Sequence, residues 1–192
     1  MVYVITDIET TGLSKYYDKI TEIAAIKIDE NGIILDSFQT LINPEVRIPR
    51  KIIKLTGITN DLVKDAPLSK PAMENFINFL EDNILVAHNA KFDFGFLEHY
   101  AYYHHDIKLK NKQLCTLKLT NRLLPHLPNK KLATLCRHYN IINNQAHRAM
   151  SDVKATLQVF NRFLIKLKEK DITTPEEILQ YQKSRKPKVR YF

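Results

Sequence analysis

The spacing of hydrophobic positions changes along the chain. In the first third it is that of strands. Val2-Tyr3-Val4-Ile5 is a short β-favouring run ending at Asp7, and residues 20–28 and 33–42 are mostly apolar runs of strand length. Asn31-Gly32 lies between the last two, and such a pair predicts a hairpin closed by a type I′ turn with positive φ at both positions. Strands one to three are therefore expected to form an antiparallel meander. After Pro44 and Pro49 the period lengthens. Residues 51–55 predict a short helical turn closed by Gly57. Ala72, Phe76, Phe79 and Leu80 mark the core-facing stripe of a longer helix entered through Pro67 and Pro71. Residues 84–87 read as a buried strand running into His88-Asn89, where Asn89 is placed to cap a helix carrying Phe92, Phe96 and Leu97.

The remainder is predicted helical, over 114–124 (stopped by Pro125), over 132–139, and through a long stripe of Val153, Leu157, Phe160, Leu164 and Leu167. That stripe suits a helix laid over a sheet better than a coiled-coil seam. Early strands, mixed elements and late helices together imply an α/β or α+β sandwich around one mixed sheet.

Composition narrows this picture. With 192 residues, 44% of them hydrophobic, the chain can bury a real core in one domain, expected over residues 1–182, followed by a basic tail over 183–192. No apolar run approaches the roughly 18 residues of a spanning helix, so no membrane segment is expected. Cys115 and Cys136 are isolated, without a CxxC pair or a nearby His at metal spacing, and read as small core residues, with a disulfide left open. Few cysteines and no export signal imply a cytoplasmic protein. Lys+Arg number 29 against 21 Asp+Glu, a formal charge of +8, which points to a polyanionic partner, nucleic acid or anionic membrane. Five of the positive charges fall in the last ten residues, so 24 Lys+Arg stand against 21 acids in the rest. The tail reads as a solubilising segment, with phosphate contact or docking to a larger assembly as alternatives. His104, His105 and His126 have no ligand spacing and receive no role.

Three short strings bear chemistry. In Asp7-Ile8-Glu9-Thr10-Thr11-Gly12, side chains two apart on a strand share a face, so Asp7 and Glu9 present two carboxylates together. Like charges that close need a cation or a proton between them, and Mg²⁺ takes such oxygens; a solvated strand end is the bland alternative. In His88-Asn89-Ala90-Lys91-Phe92-Asp93, Asp93 falls in a first helical turn, where the helix dipole alone would explain it. In His147-Arg148-Ala149-Met150-Ser151-Asp152, five helical residues rotate about 500°, leaving the His and Asp about 140° apart. They can serve one site only if His147 precedes the helix and Asp152 lies in its first turn.

Taken together, these strings resemble the DEDDh exonucleases, the superfamily of the proofreading epsilon subunit of bacterial DNA polymerase III and of ribonuclease T. The chain is most similar to the epsilon and PolC-type branch. Asp7-Ile8-Glu9-Thr10-Thr11-Gly12-Leu13, Leu55-Thr56-Gly57-Ile58-Thr59, the His88–Asp93 string, Cys115-Thr116-Leu117, Arg122-Leu123-Leu124-Pro125 and His147-Arg148-Ala149 carry the likeness, over roughly residues 2–167. The resemblance implies a ribonuclease H-like three-layer α/β fold, a mixed sheet with antiparallel strands 1–3 flanked by helices.

It also implies a 3′–5′ exonuclease that releases nucleoside 5′-monophosphates from the 3′ end of DNA, using two divalent metal ions, Mg²⁺ with Mn²⁺ as substitute. In that scheme Asp7 bridges the ions, Glu9 and Asp152 hold the one that binds the nucleophilic water, Asp93 supports the other, and His147 takes the proton. Thr10, Leu13, His88 and Asn89 are the implied substrate contacts, with core packing equally open for Leu13 and simple capping for Asn89. A DNA polymerase catalytic subunit is the implied protein partner. The alternatives are a 3′–5′ exoribonuclease of the ribonuclease T or oligoribonuclease type, or a catalytically silent nucleic-acid-binding module. A haloacid dehalogenase-type phosphatase fits less well, because it needs Asp-x-Asp and leaves His147 and Asp152 idle.

Overall fold

The computed structural model describes residues 2–185 and Pro187; most of the expected basic tail, including Lys186, Lys188 and Arg190, lies outside the described residues. Strands β1 (Tyr3–Thr10), β2 (Ile20–Ile28) and β3 (Ile34–Leu41) form the expected antiparallel meander. Helices α1 (Arg50–Thr56), α2 (Asn60–Val63) and α3 (Ser69–Leu80) follow, then β4 (Ile84–Ala87) and α4 (Ala90–His105). The chain continues through β5 (Gln113–Cys115), α5 (Thr116–Leu123), α6 (Leu132–Tyr139), α7 (Ala149–Lys168) and α8 (Pro175–Tyr181). The five strands are ordered β3-β2-β1-β4-β5, with β4 and β5 parallel to β1.

Strand alternation divides the core into two layers. Val4, Ile8, Ile23, Leu85 and Ala87 face α3 and α4, where Ala72, Phe76, Phe96 and Leu97 meet them. Tyr3, Ile5, Ala24, Ile26 and Val86 face the other way, onto Val153, Phe160 and Phe163 of α7. Tyr3 and Phe160 meet edge to face at 5.1 Å, and Phe160 and Phe163 are fully buried, each such side chain contributing about 1.5–3 kcal/mol. This is the helix–sheet–helix arrangement of the ribonuclease H-like fold, and it settles α7 as a sheet-covering helix.

Three local expectations need correction, and one helix was not anticipated. The β2–β3 turn is not type I′: Gly32 has φ 83° but Asn31 is not left-handed, and the loop is closed by Asp29, whose Oδ1 accepts from the backbone N–H of Asn31 and Ile33. The helix predicted from residue 114 begins with a strand, because Leu114 and Cys115 pair with Val86 and Ala87 before α5 starts. Asn89 stands at the N-cap position of α4 but does not cap it: its backbone is left-handed (φ 74°, ψ 45°) and its side chain makes no capping hydrogen bond. Lastly, α8 is present, started by a Thr174/Glu177 capping box with Pro175 behind the cap. Gln182 then accepts from the Cys115 N–H at 3.0 Å and donates to the Gln113 carbonyl at 2.7 Å, sealing the β5 edge.

Both cysteines are buried and free. None of the described helices is long and apolar enough to cross a membrane.

Candidate active site

Asp7 and Glu9 continue the register of Tyr3 and Ile5, so both point to the α7 side of the sheet. On that side α7 begins at Ala149, with Asp152 in its first turn and only 9% exposed, while His147 sits outside the helix. The two can therefore meet despite the 140° that would separate them on one helix. Ligand atoms of Glu9, His147 and Asp152 all lie within 4.8 Å of one another. Asp93 arrives from the opposite layer, in the first turn of α4 and 3% exposed, and its charge acts directly on Asp7. The structure thus brings all five of these residues to one end of β1.

The loop carrying His147 is held in a costly conformation. His147 has φ 66°, in the left-handed region that disfavours a residue with a Cβ by about 1–2 kcal/mol. It is kept there by its own N–H, which donates to Asp152 Oδ2 at 2.9 Å. The other Asp152 oxygen accepts from Asn143 Nδ2 at 2.6 Å, and Asn143 Oδ1 accepts from Ser151 Oγ at 2.6 Å.

Beneath the loop lies an ion pair that sequence reasoning missed. Glu22, opposite Glu9 on β2, is completely buried at 0% exposure and receives Arg148 Nη2 at 3.0 Å and Nε at 3.2 Å. The Ala149 N–H at 3.0 Å and Gln39 Nε2 at 2.9 Å complete its shell. Burial pushes the Glu22 carboxyl up, but these bonds outweigh it and hold the group below its ordinary range. The signal was available: a glutamate inside the apolar run 20–28 needs a partner somewhere in the fold.

The neighbouring acids behave in the opposite way. Burial, then repulsion from Asp93, Glu9, Asp152 and Glu22, pushes Asp7 well above the carboxylate range. Burial and the charges of Asp152, Glu22 and Asp93 push Glu9 to about 8, and burial pushes Asp93 to about 7. Such a set of hard oxygens with one imidazole and no thiolate suits Mg²⁺- or Mn²⁺-like cations. A raised folded-state value means that the protonated acid is favoured by folding. Without cations, stability should fall as pH rises from about 4.5, where an unfolded Glu titrates, through about 8. Glu9→Gln is therefore expected to melt higher than the wild type at pH ~8 in EDTA, since relief of even ~1 kcal/mol moves Tm by about 2–4 °C. Mn²⁺ should raise the wild-type Tm and do so less in the variant. A variant that melts lower in EDTA would contradict this electrostatic account.

The four expected substrate contacts separate. Leu13 is 86% exposed, which excludes core packing, and it lines one concavity with Asn89, Lys91 and Phe92. Thr10 is buried and donates its hydroxyl to the Gly12 carbonyl, so its side chain shapes the turn. His88 lies with Nδ1 2.9 Å from Thr116 Oγ1, and burial pushes it down to about 4, so its ring is neutral near pH 7.

The geometry finds counterparts among known proteins. Residues 4–160 match the exonuclease family RNase_T. The DNA polymerase III PolC-type protein of Oceanobacillus iheyensis is 42% identical over 176 residues, covering 92% of this chain and 12% of that protein. The Bacillus subtilis PolC-type protein is 41% identical over 191 residues, covering 95% of this chain and 13% of its own length. The chain thus spans only about an eighth of these relatives. Among solved structures, exonuclease X in complex with 5′-overhanging duplex DNA superposes with a TM-score of 0.73 at 24% identity, covering 94% of this chain and 99% of that one. A fold, a cluster of acids and a family match that encloses all five clustered residues agree, and the chain belongs to the RNase_T exonuclease family, a nuclease and hydrolase by membership.

Proposed function

We propose that the chain is a 3′–5′ exonuclease that removes nucleoside 5′-monophosphates from the 3′ ends of DNA, single-stranded or frayed. The observation that carries this is the convergence of Glu9, His147 and Asp152 within 4.8 Å, beside Asp7 and Asp93. Two divalent ions, Mg²⁺ or Mn²⁺, would supply charge neutralisation at the phosphoryl oxygens and an activated water. Asp7, Glu9, Asp93 and Asp152 would hold those ions, and the raised proton affinities of Asp7, Glu9 and Asp93 reflect acids buried close together. His147, exposed on its loop, would accept the proton of the attacking water on an imidazole nitrogen. Arg148, locked to Glu22, seats the residue next to that base. Leu13 and Asn89 border the terminal nucleotide, with the Thr10 backbone and the neutral His88 ring flanking them.

DNA is favoured over RNA because the relatives carry the name of a DNA polymerase, and a polymerase catalytic subunit is the matching protein partner. The test uses 5′-labelled single-stranded DNA, matched and mismatched duplexes, and single-stranded RNA, each with Mg²⁺, Mn²⁺ or EDTA. Stepwise shortening from the 3′ end is expected with either cation and none with EDTA. Internal cuts would refute the exonuclease assignment, and RNA degraded much faster than DNA would overturn the substrate.

A further inference from the structure

The far end of α4 turns rings, rather than charges alone, toward solvent. Tyr102 and Tyr103 are 62% and 75% exposed, and Tyr16, on the loop after β1, is 66% exposed. These rings connect. Tyr16 meets His99 edge-on at 5.3 Å, His99 lies near-parallel to Tyr103 at 6.2 Å, and Tyr103 meets His104 at 5.0 Å. Lys15 Nζ stands 5.3 Å from the centre of the Tyr16 ring.

The run is continuous with the concavity beside Leu13 and Asn89. The 290 Å³ concavity lined by Leu13 and Asn89 includes Lys15. Lys15 also lines the next, of 650 Å³, with Tyr16, Lys19 and His99. Tyr16, His99 and Tyr103 pass on into a third, of 890 Å³, which adds Lys70 and Tyr102. At a rise of about 1.5 Å per residue, α4 carries Tyr103 about 20 Å from Ala90.

Lysine charges bear on the rings of the run. Burial first, then the charges of Lys15 and Lys19, hold the His99 imidazole below its ordinary range. Burial, His105, Lys19 and Lys70 do the same to His104, against a weaker opposing pull from Glu45. Three acids, Asp18, Glu45 and Asp106, also line these concavities, and the Asp18 carboxylate is turned into its own loop, accepting the Ser14 N–H at 2.8 Å.

We propose that this run is a binding track for the single-stranded segment upstream of the cut 3′ end, its bases stacking on Tyr16, His99 and Tyr103 while Lys15, Lys19 and Lys70 meet its phosphates. The proposal rests on the exonuclease reading above. Rings alternating with cations are what a sequence-tolerant single-strand site needs, since every base has a face to stack and every nucleotide a charge to neutralise. A protein-docking patch would instead be poor in lysine at its centre.

The test compares the wild type with Tyr16→Ala/Tyr103→Ala and with Lys70→Glu, all at exposed positions outside the catalytic cluster. Anisotropy of 5′-labelled oligothymidylates, trinucleotide and about 20 nucleotides long, is read in Ca²⁺. The double variant should bind the long strand at least ~10-fold more weakly and the trinucleotide unchanged, given about 1–3 kcal/mol per stacked base. Lys70→Glu should weaken the long strand and lower its salt slope by about one or more. Both variants should hydrolyse the p-nitrophenyl ester of thymidine 5′-monophosphate at the wild-type rate. Wild-type affinity for the long strand in both variants would overturn the track, as would an equal loss on the trinucleotide. A wild type that cleaves neither ester nor oligonucleotide would remove the exonuclease reading alone, because the binding arm still reads the track.

Discussion

Asp152→Asn is expected to lower phosphodiester hydrolysis by at least ~10³-fold, about 4 kcal/mol in the barrier, while the fold persists. Two losses coincide at this position. The site loses one of the negative charges proposed to hold cations, and the substituted amide places a donor against a donor, since both carboxylate oxygens now accept hydrogen bonds, from Asn143 Nδ2 and from the His147 N–H. The second loss releases the left-handed His147 loop, whose strain that bond offsets. Asn143→Ala removes one donor and keeps the charge, so it should cost only about tenfold, near one lost hydrogen bond to a charged group. Single-turnover rates beside a thermal melt decide the matter. Asp152→Asn within tenfold of the wild type would remove Asp152 from the catalytic set.

Arg148→Ala is expected to give the largest stability loss outside the apolar core, about 3–5 kcal/mol, or roughly 10 °C in Tm. It leaves the fully buried Glu22 with only the Gln39 amide and the Ala149 N–H. A charge can remain at such a site only at the expense of folding or by taking up a proton. Glu22→Gln/Arg148→Met, which removes both charges and keeps the volume, should recover most of the loss, because the pair's own net contribution is small once desolvation is counted. Activity should not recover in parallel, since the double variant no longer ties the residue after His147 to β2. A single variant that melts within about 2 °C of the wild type would show that water reaches Glu22 and that the pair is not load-sharing.

Much of the architecture was legible in the chain because local period reports burial directly. The run at 20–28 is the strand Ile20–Ile28, and 84–87 and 132–139 match β4 and α6. These segments pair strong periodicity with clear stops, so neighbours in space did not have to decide them. Gln113-Leu114-Cys115 is a strand only because β4 offers it a partner; three residues ahead of a helical pattern carry no period of their own. Asn31-Gly32 had the composition of one turn, but the Asp29 side chain captured the backbone of another. Pro175 with Thr174 and Glu177 was a readable helix start in a segment too short to show a stripe.

For the site, each string alone had a bland explanation, and it was the likeness of the whole set to the DEDDh pattern that nominated Asp7, Glu9, Asp93, His147 and Asp152. Their convergence was not legible in the chain. Asp7 and Glu9 share a strand face by local geometry alone, but Asp93 comes from the opposite layer and Asp152 from a helix much later in the chain. Only packing places Glu22 under Arg148, turns His147 left-handed, and lifts the proton affinities of Asp7, Glu9 and Asp93 together. The sequence by itself determined which groups are available and which elements carry them, since period, caps and residue chemistry are local properties. The tertiary structure decided their distances, their charge and the run of rings leading away from them, because burial and Coulomb interactions depend on what the rest of the chain brings within a few ångströms.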